Sequence, residues 1–308
     1  MKHTPTKEER RNARDISYAS AAETRFGRML IRSLENITGR PRLIRMAQGY
    51  EHEVAAGRSF WEVMVERYGL HLDVTQGSLD DIPREGPLVV ISNHPFGILD
   101  GLMLGYMLAT TRGDFRILAN HVFRKARDLN QVILPISFEP TREAMQTNLE
   151  TRKTALRYLA AGGCIGIFPG GTVSTSLKAT KGRAMDPGWR TFTAKMIAKS
   201  GATVLPIYFD GANSRRFQIA SHVHPTLRLG LLINEFKARV GRAVEVSVGR
   251  PIDPETIAAH SKDPRGMMDF LRETTYQLSP IPLADLSYGY EFEGPRDDDA
   301  AGGFRKVY

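Results

Sequence analysis

The sequence predicts an α/β fold: a mixed, largely parallel central sheet flanked by helices, with a helical amino-terminal extension. Three observations carry this. From residue 72 onward, short β-branched runs alternate with longer stretches of helical period. The 308 residues, 42% hydrophobic and 25% charged, suffice for one sizeable core. The single Cys164 excludes an internal disulfide and any multi-cysteine metal site, and its apolar run marks it as a core residue.

Taken in order, residues 1–20 are polar. From Glu23 to Thr38, Phe26, Met29, Leu30, Leu34 and Ile37 recur at helical spacing, until Gly39 and Pro41 stop the run. A second helix is expected from Arg42, and a third over Ser59–Tyr68 with Ser59 as its cap. Strands are expected at Leu72–Val74, Leu88–Ser92, Phe115–Ala119, Val132–Ile136, Cys164–Phe168, Thr203–Phe209 and Val244–Val248. Helices are expected between them at Leu99–Thr110, Arg142–Ala160, Gly188–Ser200 and Leu227–Val240, and a last one over Pro264–Gln277. The reading divides the chain into a basic helical extension (1–70), an α/β domain (71–282) and a flexible acidic tail (283–308).

The net charge is +8, and residues 1–50 hold 11 Lys/Arg against 5 Asp/Glu. A basic block suits an anionic partner: nucleic acid, a membrane surface or an acidic protein. No helix-turn-helix, zinc finger or aromatic-basic platform is recognisable, so nucleic acid is not expected. The start of the chain lacks the apolar run of a secretory signal. The most apolar window, Leu88–Thr111, carries His94 and Asp100, which a lipid-exposed span tolerates poorly. The expectation is a cytoplasmic protein, peripherally associated with the inner face of the membrane.

Four segments place polar residues directly after an expected strand, where functional groups gather in open α/β sheets. The first is Asn93-His94-Pro95-Phe96-Gly97-Ile98-Leu99-Asp100-Gly101. A His there can take a proton, and a nearby carboxylate can fix its tautomer; Asp100 can equally be a helix cap. The second is Phe168-Pro169-Gly170-Gly171-Thr172-Val173-Ser174, a turn whose N–H groups could cradle an oxyanion, although it follows no Walker pattern. The third, after Thr203–Phe209, runs through Asn213-Ser214-Arg215-Arg216 and reads as a doubly basic loop. The fourth follows Arg116–Ala119 with Asn120-His121-Val122-Phe123-Arg124-Lys125. His121 and His222-x-His224 lack acidic or thiol partners at ligand spacing, so no metal is expected.

Together these segments resemble the glycerophospholipid acyltransferase family, which includes lysophosphatidic acid acyltransferases. That family carries Asn-His-x4-Asp, then Phe-Pro-Glu-Gly-Thr-Arg-Ser, then a Val-Pro strand. The likeness is closer to its bacterial hemolysin-like or ornithine-lipid-type branch, through His94-Pro95-Phe96-Gly97-Ile98-Leu99-Asp100-Gly101 and Asn213-Ser214-Arg215. It spans about residues 70–255. Two departures stand out: the His–Asp spacing is one residue longer, and Gly170 and Val173 replace the usual Glu and Arg. In the family those two charges help hold a phosphorylated acceptor, so a different acceptor, or an anion grip moved to Arg124, Arg215 or Arg216, is implied.

The resemblance implies transfer of a fatty acyl group from a thioester to a lysolipid hydroxyl. His94 would be the general base and Asp100 its orienting partner. Asn93, Pro95, Gly97, Arg124, Phe168, Pro169, Gly170, Gly171, Thr172, Asn213 and Arg215 would line the substrate site, with the Gly170–Thr172 turn donating to the oxyanion. No cofactor is implied beyond acyl-CoA or acyl-ACP as co-substrate. The partners implied are the lysolipid acceptor, an anionic membrane surface and acyl carrier protein. The altered turn also leaves open a non-catalytic lipid-binding protein on the same scaffold.

Overall fold

The computed structural model describes residues 17–19, 22, 24–120, 127–137 and 141–291. Four helices come first: α1 (Arg25–Thr38), α2 (Arg40–Ala47), α3 (Tyr50–Ala55) and α4 (Phe60–Arg67). There follow β1 (His71–Gln76), β2 (Leu88–Ser92), α5 (Ile98–Thr111), β3 (Arg116–Asn120), α6 (Arg127–Asn130), β4 (Ile133–Ile136), α7 (Arg142–Ala160) and β5 (Cys164–Ile167). A hairpin, β6 (Thr175–Lys178) and β7 (Lys181–Met185), precedes α8 (Thr191–Ser200), β8 (Thr203–Phe209), α9 (Arg215–Val223) and α10 (Pro225–Arg239). The chain continues through β9 (Ala243–Val248), α11 (Pro254–Ala259) and α12 (Pro264–Tyr276).

The main sheet has seven strands in the order β1-β9-β8-β2-β5-β3-β4. All neighbours are parallel except β8 and β9. The sheet is therefore mixed and largely parallel, as the alternating periods predict. β2 lies near the middle, and all five of its residues are buried. That explains its unbroken apolar run, since helices cover both faces of such a strand. Leu88 and Val90 enter the core shared with α4 and α5, while Val89 and Ile91 enter the core shared with α8 and α12. Cys164 is buried, and burial pushes its thiol up to about 12.

The amino-terminal helices are not an appendage. Leu43, Ala47, Tyr50, Trp61, Val63 and Met64 belong to the same core as β2 and α5. Trp61 lies so close to Gly105 of α5 that a Cβ there would clash with its ring. No break in packing marks residue 70. The expected tail also starts too early. Leu283 and Leu286 pack on Met185, Tyr208 and Tyr276, and Tyr290 N donates to Thr175 O at 3.1 Å. Residues 283–291 form a strap along the hairpin, and the rest of the expected tail lies outside the described residues.

Several elements depart from the sequence reading, among them the short helices α3, α6 and α11, which it did not expect. The hairpin β6–β7 was not expected, because its Lys-, Thr- and Gly-containing strands have no apolar run. The expected basic loop at Arg215-Arg216 is the first turn of α9. Ser214 caps it, its Oγ accepting from Phe217 N at 3.3 Å. Ser59 holds the cap position of α4, but its side chain makes no capping hydrogen bond.

Helix α1 shows two apolar faces. Ile31 and Gly27 are buried, and Leu34 lies against Gly230 of α10. On the opposite side Phe26, Met29 and Ile37 are 68%, 61% and 82% exposed. Arg25 and Arg28 are exposed beside them. Buried Glu35 accepts from Ser17 Oγ at 2.5 Å and Tyr18 N at 2.6 Å, which ties the preceding segment to the helix. Desolvation raises its pKa against the opposing pull of those bonds. Among the described residues, no helix is long and apolar enough to cross a membrane.

Candidate active site

The carboxyl ends of β8, β2 and β5 lie side by side, and their following loops form the site. After β2 the chain turns through Gly97, whose φ of +85° favours glycine. A Cβ there would also press on Tyr18 Oη at 3.2 Å and Val173 Cγ2 at 3.3 Å. The turn ends at the third residue of α5, Asp100.

Asp100 is fully buried, and its Oδ2 accepts from Phe96 N at 2.8 Å and Gly97 N at 3.0 Å. The same oxygen stands 2.9 Å from His94 Nδ1. Asp100 therefore both caps α5 and stands at contact distance from the imidazole. The contact has ion-pair distance but is not aligned as a straight hydrogen bond, as is common before substrate binds. Desolvation raises the Asp100 pKa, while His94 and the two N–H groups pull against it. The extra residue in the His–Asp spacing is absorbed by the Gly97 turn, and the pair still meets.

The His94 side chain is 19% exposed, and its ring stacks on Phe168 at 4.3 Å between centroids, inclined by 29°. Phe168 opens the turn after β5, so the second segment lies against the first. Gly171 N donates to Phe168 O at 3.0 Å and Ser174 N to His94 O at 2.8 Å. Among the described residues, the N–H groups of Gly170 and Thr172 have no such partner. Pro169 joins the site through its carbonyl, which accepts from Arg190 N at 3.0 Å. Pro95, between His94 and Phe96, is buried.

Three expected substrate residues make contacts elsewhere in the scaffold. Asn93 gives its amide to a backbone: Nδ2 donates to Phe209 O at 2.9 Å and Oδ1 accepts from Phe209 N at 2.7 Å. It extends the β2–β8 pairing through its side chain. Arg215 is exposed on α9, where Nη2 donates to Gly182 O at 3.2 Å. That contact belongs to the hairpin rather than to the His94 cluster. Asn213 is buried beside α9, its carbonyl accepting from Gln218 Nε2 at 3.4 Å. Arg124 and His121 lie outside the described residues.

The sequence reading missed two buried charges behind the turn. Asp186, after β7, has no exposed surface. Its Oδ1 accepts from Ser174 Oγ at 2.5 Å and His94 N at 3.2 Å, and its Oδ2 from Trp189 Nε1 at 2.9 Å. A Cβ on Gly170 would lie 3.2 Å from Asp186 Oδ2. Arg228 of α10 reaches the other end of the turn. Its guanidinium donates to Thr172 Oγ1 at 3.0 Å, Val173 O at 2.5 Å, Thr175 Oγ1 at 2.6 Å and Ser221 Oγ at 2.9 Å. Burial pulls its pKa down to about 9, so it stays charged at neutral pH. The available signals were slight: Trp189 three residues after Asp186, and one Arg within the apolar run Leu227–Ile233.

A His–carboxylate pair at a strand's carboxyl end, beside a turn with free N–H groups, is an arrangement suited to acid–base chemistry. Comparison with known proteins agrees. Residues 73–210 match the profile of the Acyltransferase family. Similar proteins include the lyso-glycine lipid O-acyltransferase of Phocaeicola vulgatus, 26% identical over 233 residues, or 72% of this chain and 78% of that protein. The lyso-glycine lipid O-acyltransferase of Bacteroides thetaiotaomicron is 26% identical over 230 residues, covering 72% and 80%. Among solved structures, the 1-acyl-sn-glycerophosphate (LPA) acyltransferase PlsC of Thermotoga maritima aligns with a TM-score of 0.43 at 14% identity, over 73% of this chain and 83% of that one.

Proposed function

We propose that this protein transfers a fatty acyl group from an acyl-CoA or acyl-ACP thioester to the hydroxyl of a lysolipid whose head group is not a phosphate. The observation that carries the reading is the His94–Asp100 contact at the end of β2. With Nδ1 turned to Asp100, Nε2 is the proton acceptor. The acceptor hydroxyl attacks the thioester carbon as His94 takes its proton, and Asp100 stabilises the imidazolium. The N–H groups of Gly170 and Thr172 suit the oxyanion; Gly171, whose N–H closes the turn, does not. Collapse breaks the C–S bond, and the imidazolium returns its proton to the leaving thiolate.

The acceptor class follows from the turn. The family's Glu and Arg positions are Gly170 and Val173, and the nearby charges Asp186 and Arg228 are buried and bonded into the scaffold. A phosphate grip on the turn is thereby lost. An amino-acid head group, as in the names of the two relatives, fits such a site. Docking on an anionic membrane is supported by α1, where exposed Phe26, Met29 and Ile37 stand beside Arg25 and Arg28. An acidic carrier protein suits the same basic surface.

The test is a labelled acyl thioester, as CoA and as ACP ester, offered with a panel of lysolipids. Acylation of an amino-acid lysolipid in preference to lysophosphatidic acid is expected. No turnover on any acceptor, or full activity in His94→Ala, overturns the reading.

A further inference from the structure

We propose that Asp186 is a positioning residue that locks the general base and the oxyanion turn into one register. It supplies, from behind, the carboxylate that the turn lacks at Gly170. The inference rests on the acyl-transfer reading of the site. Asp186 Oδ1 bridges His94 N and Ser174 Oγ, and Ser174 N returns a bond to His94 O. The loop after β2 and the turn after β5 are thus stitched by a closed ring of hydrogen bonds, with one carboxylate oxygen accepting two of them. Oδ2 is held by the indole of fully buried Trp189. A carboxyl group removed from water requires hydrogen-bond partners, and here each comes from a different segment.

The backbone of Asp186 is anchored as firmly. Its N–H donates to Tyr276 Oη at 2.7 Å, and its carbonyl accepts from Arg272 Nη2 at 3.1 Å and Gly289 N at 2.9 Å. α12 and the carboxyl-terminal strap therefore hold the residue that holds His94. Gly170 completes the argument. Asp186 Oδ2, Cβ and Cγ lie 3.2–3.3 Å from where a Cβ at 170 would sit. The carboxylate occupies the space into which a longer side chain at 170 would grow. An acid at 170 and an acid at 186 are alternatives for one place.

The experiment uses the full chain with a labelled acyl thioester and the acceptor found in the panel. Asp186→Asn is expected to fold and to lose about 100-fold in kcat with KM for both substrates within about twofold, because the general base is misplaced rather than substrate binding lost. Asp186→Ala is expected to lose as much, and adding Gly170→Asp to recover about tenfold of it by returning the carboxylate from the other side. Ser174→Ala, which removes one donor, loses about tenfold in kcat and serves if the Asp186 variants do not fold. An activity-independent readout is hydrogen exchange of the His94 amide in histidine-labelled protein: protected in the wild type, and unprotected in Asp186→Ala, which removes the acceptor. Wild-type kcat in folded Asp186→Asn, a loss carried by KM alone, or unchanged His94 protection overturns the proposal. An inactive wild type whose His94 protection still depends on Asp186 overturns the acyl-transfer reading and leaves the positioning role standing.

Discussion

The loop after β2 and the turn after β5 meet at one site, but they obtain their charges differently. The β2 loop is self-sufficient: Asp100, six residues after His94, caps α5 and faces the imidazole. The β5 turn has no charge of its own. It leans on Asp186, 12 positions beyond Ser174, and on Arg228, 53 to 56 positions beyond the residues it binds. The local arrangement fixes a geometry through a single capped turn. The borrowed one makes the site depend on how distant segments pack, and it frees the turn's exposed side from charge.

The strongest way to break this comparison is at the self-sufficient loop. His94→Ala is expected to lower kcat by about 10²–10⁴-fold, read by thioester turnover. A milder loss would shift the chemistry away from the β2 loop. Asp100→Asn can keep its bonds to Phe96 N and Gly97 N, but it loses the charge that faces His94. Activity should drop by about 100-fold while the melting temperature holds or rises. The sign follows from the raised Asp100 pKa: the folded state binds that proton more tightly than the unfolded chain, so its contribution to stability is lost as pH rises through the folded pKa. The stability advantage of Asp100→Asn should therefore grow with pH across that range in thermal melts.

At the borrowed end, Gly170→Glu restores the residue usual in the family and should still do harm. Its Cβ presses on Asp186, and a loss of about 1–3 kcal/mol in denaturant unfolding is expected. A neutral or activating result would mean that Asp186 yields easily and that the turn is less dependent on it. The smallest effects test the two faces of α1. Ile31→Ala on the inner face should lower stability by about 2–4 kcal/mol. Joint Phe26→Ser and Ile37→Ser should change it by less than about 0.5 kcal/mol each while weakening binding to anionic vesicles in a sedimentation assay.

The same contrast explains what was legible in the sequence. His94 and Asp100 could be read because their partnership lies within one turn, and β2 because a strand buried on both faces has an unbroken apolar run. Asp186 and Arg228 could not be read, since the partners that give them meaning are far along the chain. Asn93 was legible as polar but not in its role, because its amide is bonded to Phe209, 116 positions later. α9 was read as a loop because Asn213 and the paired arginines resemble turn chemistry, although Ser214 was a usable cap signal. The basic amino-terminal block was legible as charge but not as packing: α1 has an inner face that packs and an outer face that does not.

The pairing of β1 with β9 bears on how the chain is made. Thr75 and Ser247 bond across 172 positions, and Lys237 reaches Thr38 across 199. A ribosome adding about 5–20 residues per second leaves β1 and the inner face of α1 without their partners for roughly ten seconds or more. During that interval the first quarter of the molecule is a nascent segment in need of shelter, and its refolding from denaturant should be slow for the same topological reason.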